Sequence, residues 1–203
     1  MPFRVQLAVV LTATFALIAA GVMVCSNDED PAASTTPQGA VRPPDIPPSD
    51  FRLRDQDGRV TPLDDVRGEV TIVTFLYTTC EDTCPLTAQQ IRSALDDLGH
   101  DVPVLAFAVA PPRDTPERAQ RFVAEQSLTG RMRFLTGPLE ELRRQWRAYG
   151  IRPQGDGFEH TAHVVLLDHR GVQRIGFPAE KLTPEALAHD VALLERDGGP
   201  AAT

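Results

Sequence analysis

The chain has 203 residues, room for one ordinary domain with a tail, and its 42% hydrophobic content suits a packed core. With 28 acidic against 20 basic residues its formal charge is -8. That excludes nucleic acid as the expected partner, since phosphate binding needs a basic face and the arginines here alternate with acids. A protein partner or a cation fits this balance.

After Met1-Pro2-Phe3-Arg4 come about twenty mostly apolar residues from Val5 to Cys25, interrupted by Gln6, Thr12 and Thr14. At ~1.5 Å per residue such a helix spans a ~30 Å hydrocarbon layer. Arg4 marks the cytoplasmic end and Asn27-Asp28-Glu29-Asp30 the far side. Residues 1–25 therefore read as a single anchor in the cell (inner) membrane, with the rest of the protein on the periplasmic, extracytoplasmic side. Cleavage as a signal peptide near Ala19-Ala20-Gly21 is the competing reading. Cys25 is not read as lipidated, because Val22-Met23-Val24 lacks the small residue expected before a lipidated cysteine. Residues 26–49, rich in Pro, Ala, Ser and Thr and including Arg42-Pro43-Pro44 and Pro47-Pro48, read as a semi-stiff spacer. The globular domain is expected over 50–197 and a short disordered tail over 198–203.

Within the domain, Phe51-Arg52-Leu53 and Val60-Thr61 flank Asp57-Gly58 and predict a hairpin. Val70 to Leu76 predicts a buried strand, and Leu86, Ile91, Ala94, Leu95 and Leu98 predict a helix after Pro85. Val104 to Val109 reads as a strand, and Asp114-Thr115-Pro116-Glu117 as the start of a helix running through Phe122 and Val123. A short strand over Met132 to Leu135 and a helix over Leu139 to Tyr149, ended by Gly150, follow. Val164 to Leu167 and Val172 to Ile175 form a second hairpin about Asp168-His169-Arg170-Gly171, and Thr183-Pro184-Glu185 starts a last helix reaching Leu194. Strands separated by helices call for parallel pairing, and the closing hairpin adds an antiparallel edge. The order resembles the thioredoxin fold: an α/β architecture with an N-terminal β-hairpin and a central mixed sheet flanked by helices.

The chemistry gathers at Cys80 and Cys84, four positions apart and directly after the most strand-like run. A spacing of four returns to one side of a helical turn, so two sulfurs can meet just past a buried strand. They can hold a metal, a disulfide, or each in turn. A disulfide closing so small a loop gains little from chain entropy, which favours function over stapling. A helix start lowers thiol pKa values and so supplies thiolates, which are both nucleophiles and soft-metal ligands. Two thiolates select soft or borderline ions, Cu(I) above all, and an added imidazole also accommodates Cu(II). The thioredoxin layout places the loop Phe158-Glu159-His160-Thr161-Ala162-His163 opposite the cysteines. His160 is the chosen third ligand; His163, at the strand's beginning, reads as facing solvent. His100, His169 and His189 read as surface residues, Trp146 and Tyr149 as core or groove residues, and Arg143-Arg144-Gln145-Trp146-Arg147 as a solvated helix face.

Three separated motifs, Tyr77 to Pro85, Pro112-Arg113-Asp114-Thr115-Pro116-Glu117, and Glu159-His160-Thr161 with Leu166-Leu167-Asp168 to Gly171, together resemble the Sco/SenC family of copper-binding proteins. The resemblance spans about residues 50 to 195. It implies that Cys80, Cys84 and His160 bind one copper ion, as Cu(I), Cu(II) or both, and that the protein serves assembly of the dinuclear copper centre of cytochrome c oxidase. Implied partners are the subunit carrying that centre, or another cuproprotein, and an upstream thiol reductant or copper donor. The chain departs from the family pattern at Leu76 for a frequent glycine, Glu81 for a frequent proline, Asp156 for a common aromatic, and Glu159 for the usual Asp. At Ala110 the family usually has an aspartate near the metal. The rival function is a thiol-disulfide oxidoreductase that reduces a client's cysteine pair, with Cys80 as nucleophile and Cys84 resolving. Against it stand three intervening residues instead of two and no proline just before Val164. The peroxiredoxin nucleophile motif is absent from the sequence.

Overall fold

A computed structural model describes residues 35–44, 46–151 and 163–198, all within a compact unit that begins at Thr35. In chain order its elements are β1 (Ala40–Val41), β2 (Arg52–Arg54), β3 (Val60–Pro62), β4 (Thr71–Leu76), α1 (Thr83–Leu98), β5 (Val104–Ala108), α2 (Pro116–Glu125), β6 (Met132–Leu135), α3 (Leu139–Tyr149), β7 (His163–Leu167), β8 (Gln173–Pro178) and α4 (Pro184–Gly198). Single 3-10 turns occupy Leu63–Val66 and Ala179–Lys181.

The central sheet runs in the order β1-β8-β7-β4-β5-β6, and β2 with β3 forms a separate two-stranded ribbon. β4 pairs parallel with β5 from Ile72 opposite Val104 to Leu76 opposite Ala108, and β5 pairs parallel with β6. On its other side β4 pairs antiparallel with β7, which turns back antiparallel into β8. All six residues of β4 are buried, which explains why its sequence lacks the alternation of apolar and exposed polar residues; its two threonines are buried too, Thr74 donating its hydroxyl to His163 C=O at 3.2 Å. This is the expected α/β, thioredoxin-like arrangement of a central mixed sheet flanked by four helices.

The crossovers β4-α1-β5 and β5-α2-β6 advance in one direction across the sheet, so a right-handed path puts α1 and α2 on the same face. Gln89 of α1 accordingly reaches Gln126 at the end of α2, 3.1 Å away, and α1 also packs along α4. Helix α3 supplies Tyr149 to an aromatic cluster with Phe75 and Phe107, whose rings stack at 5.5 Å, and Phe51 meets Phe107 edge-on at 5.1 Å. Such ring pairs add to simple area burial.

The hairpin turn forms as its residues require. The Asp55 carboxylate accepts the amides of Asp57 and Arg59, both at 2.9 Å, and Gly58 takes φ of 78°, a conformation that favours glycine.

One strand lies inside the stretch read as a spacer. Between Pro37 and Pro43 the chain has free amides, and Ala40 and Val41 pair with Gly176 and Ile175 of β8. The buried Asp190 carboxylate accepts Gln38 N–H and Gly39 N–H at 2.8 Å each. Gly39 has no room for a side chain, since a Cβ would sit 2.6 Å from Ile175. The expected anchor over 1–25, the expected tail past Gly198 and the expected site of His160 fall outside the described residues.

Candidate functional site

β4 ends at the middle of the sheet and delivers Tyr77 to Cys80 to the start of α1. Helix α1 begins at Thr83, three residues before Leu86, where its apolar spacing starts, because Pro85 sits in the first turn where its missing N–H costs nothing. Cys84 is thus helical while Cys80 precedes the helix. The two sulfurs do not share a helix face; the turn closed by Cys80 N–H to Tyr77 C=O, 3.3 Å, folds Cys80 back over the helix start. Asp82, the N-cap residue, makes no side-chain capping bond. The Cys80 sulfur takes that place, accepting Cys84 N–H at 3.2 Å. Both cysteines are free thiols, Cys80 half-buried and Cys84 fully buried.

This geometry separates the two thiols. The hydrogen bond donated by the Cys84 thiol, aided by the Cys84 amide, the Tyr77 hydroxyl and the Asp82 amide, pulls Cys80 down to about 5 against the opposing effect of burial. Cys84 is pushed far up, first because its proton is held by Cys80 and then by burial. Burial and the bond to Cys80 also raise Tyr77. The site thus sets the two thiols apart, favouring the thiolate at Cys80 and the thiol at Cys84, with the Cys84 amide at the helix start aimed at the Cys80 sulfur.

Behind the turn stands Asp114, 2% exposed. Its carboxylate accepts Thr78 N–H at 2.7 Å, the Thr78 hydroxyl at 2.9 Å and Ala110 N–H at 2.9 Å. Burial raises its pKa, and those donors oppose the rise.

The histidines divide differently from the sequence reading. His160 lies outside the described residues, as do Asp156 and Glu159. His163 does not simply face solvent: it is half-buried, and its ring lies over Gly176 beside Arg42. Burial and that guanidinium lower its pKa. His189 is not a surface residue either, being 11% exposed and 2.9 Å from Asp190. His100 is exposed and pairs with Glu195 at 2.9 Å. Trp146 and Tyr149 are core residues, the former donating its indole N–H to Ala108 C=O at 3.1 Å. Arg143 and Arg144 form ion pairs with Glu140 and Glu141 on an exposed helix face.

Among the described residues no group of three or more His, Cys, Asp or Glu side chains is placed to hold a metal. Of the expected site residues, Cys80 and Cys84 are brought together, and His160 is outside the described residues. Neither cysteine lines the cavities of about 290, 460 and 410 Å³; of the two thiols Cys80 is the accessible one, and Cys84 is buried.

The SCO1/SenC family model matches residues 41–195. The chain belongs to the SCO1/SenC family. It is 31% identical to the SCO1 protein homolog of Bacillus subtilis over 141 residues, 61% of this chain and 73% of that one. Its match spans 64% to 73% of the length of four curated relatives. Bradyrhizobium japonicum ScoI, solved with copper bound, aligns with a TM-score of 0.58 at 28% identity over 71% of this chain and 96% of that one. BsSco, described through a disulfide switch as a member of the Sco family of cytochrome c oxidase assembly proteins, aligns with a TM-score of 0.63 at 25% identity over 78% and 96%. Among the described residues of this family member, no helix is long and apolar enough to cross a membrane.

Two residues of the site escaped the sequence reading. Tyr77 enters that reading only as part of a motif, and Asp114 only as part of another motif and as a helix-start signal. The capping role falls to Thr115, whose hydroxyl accepts Arg118 N–H, which leaves the acid beside it for another task.

Proposed function

We propose that this protein is a copper carrier that holds one copper ion between Cys80, Cys84 and His160 and hands it to the dinuclear copper centre of cytochrome c oxidase or a similar cuproprotein. The observation that carries the reading is the cysteine pair itself: two free thiols just past the central strand, the Cys80 sulfur accepting the Cys84 amide at 3.2 Å. Family membership and the copper-bound Bradyrhizobium relative support it. A dithiolate suits Cu(I), and metal binding displaces the proton that Cys84 retains. Three protein ligands leave one direction open for a client thiolate, so copper passes by stepwise ligand exchange without being released into water. In the same reading, residues 1–25 tether the domain to the inner membrane and keep it on the extracytoplasmic side, and a thiol reductant acts upstream to keep the pair reduced.

The test is copper content. The chain reduced and loaded with Cu(I) is expected to hold one copper, and Cys80→Ala, Cys84→Ala and His160→Ala to lose tight binding. Unchanged stoichiometry and affinity in any of the three variants refutes that ligand's assignment.

A second reading is supported by the same asymmetry, since a half-buried, acidified thiol beside a fully buried one is the arrangement of a dithiol reductant. The Cys80 thiolate attacks a client disulfide, forming a mixed disulfide and releasing one client thiolate. Cys84 then loses its proton and attacks Cys80, which frees the second client thiol and leaves Cys80 and Cys84 joined. The client gains two electrons, and an external dithiol must restore the pair. Insulin reduction that survives His160→Ala, together with weak copper affinity, selects this reading over the carrier.

A further inference from the structure

We infer that Asp114 is a positioning residue for the copper site: its buried carboxylate ties the turn that carries Cys80 to the end of β5 and so fixes where that sulfur stands relative to Cys84. The inference rests on the carrier reading above and assigns a supporting residue to it.

The geometry is that of a clamp across two segments. Oδ1 receives both the amide and the hydroxyl of Thr78, two residues before Cys80, while Oδ2 receives the amide of Ala110, just past β5. Asp114 is itself fixed to the same place, since its own N–H donates to Ala110 C=O at 3.0 Å and Arg113 N–H does so at 2.7 Å. Without this carboxylate the Tyr77–Cys80 turn keeps its own closure, Cys80 N–H to Tyr77 C=O, a 3.4 Å contact from the Thr78 hydroxyl to Arg113 C=O, and the Cys84 N–H bond to the Cys80 sulfur. None of these holds the Thr78 amide, so the main chain of the turn loses its tie to the end of β5.

The chemistry of the residue type follows from the donors. Three donors approach from two segments, so two acceptor oxygens are needed. An alanine leaves one buried backbone amide, that of Ala110, and one part-buried amide, that of Thr78, without their acceptor, which is costly. An asparagine keeps one acceptor oxygen for Thr78 but turns an NH₂ group toward the Ala110 amide, donor against donor. Groups that orient metal ligands typically alter metal affinity by about 10- to 100-fold when removed.

The experiment uses the full chain with Asp114→Ala, Asp114→Asn and Thr78→Val, each measured well below its own melting temperature. Hydrogen exchange should show the Thr78 and Ala110 amides losing protection in Asp114→Ala, and Asp114→Asn recovering protection at Thr78 but not at Ala110. Cu(I) affinity, read by competition with a chromogenic chelator, should fall at least about tenfold in Asp114→Ala, with the asparagine and valine variants falling between it and the wild type. Should Asp114→Ala fail to fold, those two variants carry the test. A lowered melting temperature with unchanged Cu(I) affinity in the folded variants means a structural residue only and overturns the proposal. If the wild type itself holds no copper, the carrier reading fails separately. The positioning role is then read from the apo protein: iodoacetamide alkylation of Cys80 should slow in Asp114→Asn, and an unchanged rate overturns it.

Discussion

Four donors converge on the Cys80 sulfur, and that sets how many protons copper must displace. With Cys80 at about 5 and Cys84 far above the ordinary thiol range, the pair carries a single proton at neutral pH. Loading with Cu(I) at pH 7 is therefore expected to release about one proton rather than two. Calorimetric titration in buffers of different ionisation enthalpy reads that number directly, and two protons released means that Cys80 is not held as a thiolate. The pH dependence of stability has a definite sign. Cys80 is depressed on folding, so its contribution is complete above the ordinary thiol range and fades as pH falls toward about 5; Cys84 is raised and behaves oppositely, losing its contribution as pH climbs past that range. The stability advantage of the apo wild type over Cys80→Ala should accordingly shrink between pH 8 and pH 5. At this scale the cysteines were legible because spacing and position after a strand point to them. Asp114 was not, because an acid before Thr-Pro-Glu reads as a helix start, and only the fold reveals that Thr115 caps the helix instead.

Among the elements, β1 shows what proline content conceals. A stretch crowded with proline reads as extended and unpaired, yet the five residues between Pro37 and Pro43 contain none, and two of them complete the sheet edge. Asp190 makes that docking specific by accepting the Gln38 and Gly39 amides from a fully buried position beside His189. Asp190→Ala should cost about 1–3 kcal/mol for the unsatisfied groups it leaves. Gly39→Ala should cost about 1–3 kcal/mol by forcing a methyl against Ile175 and Phe177. Urea unfolding checks both, and hydrogen exchange should show the Gln38 and Gly39 amides opening in Asp190→Ala. Unchanged stability together with unchanged protection contradicts the latch. Elsewhere the elements follow their local signals. Turn residues at Asp57-Gly58 and Asp168 to Gly171 and the stop at Gly150 lie where the sequence placed them, whereas β8 and α4 run on past Ile175 and Leu194 because tertiary contacts extend what local pattern leaves open.

For the whole molecule, the alternation of strands and helices was enough to predict a mixed sheet with a central buried strand, and β4 occupies that centre. The layout also names the loop carrying His160 as the one expected opposite the cysteines, and that loop lies outside the described residues. The central claim is that the Cys80 and Cys84 sulfurs jointly hold the copper ion. X-ray absorption at the copper edge of the Cu(I)-loaded chain tests it most directly: two sulfur scatterers and one nitrogen of imidazole type are expected, the sulfur shell dropping to one in Cys84→Ala if any copper remains. A copper environment of nitrogen and oxygen alone, unaltered by that substitution, contradicts it.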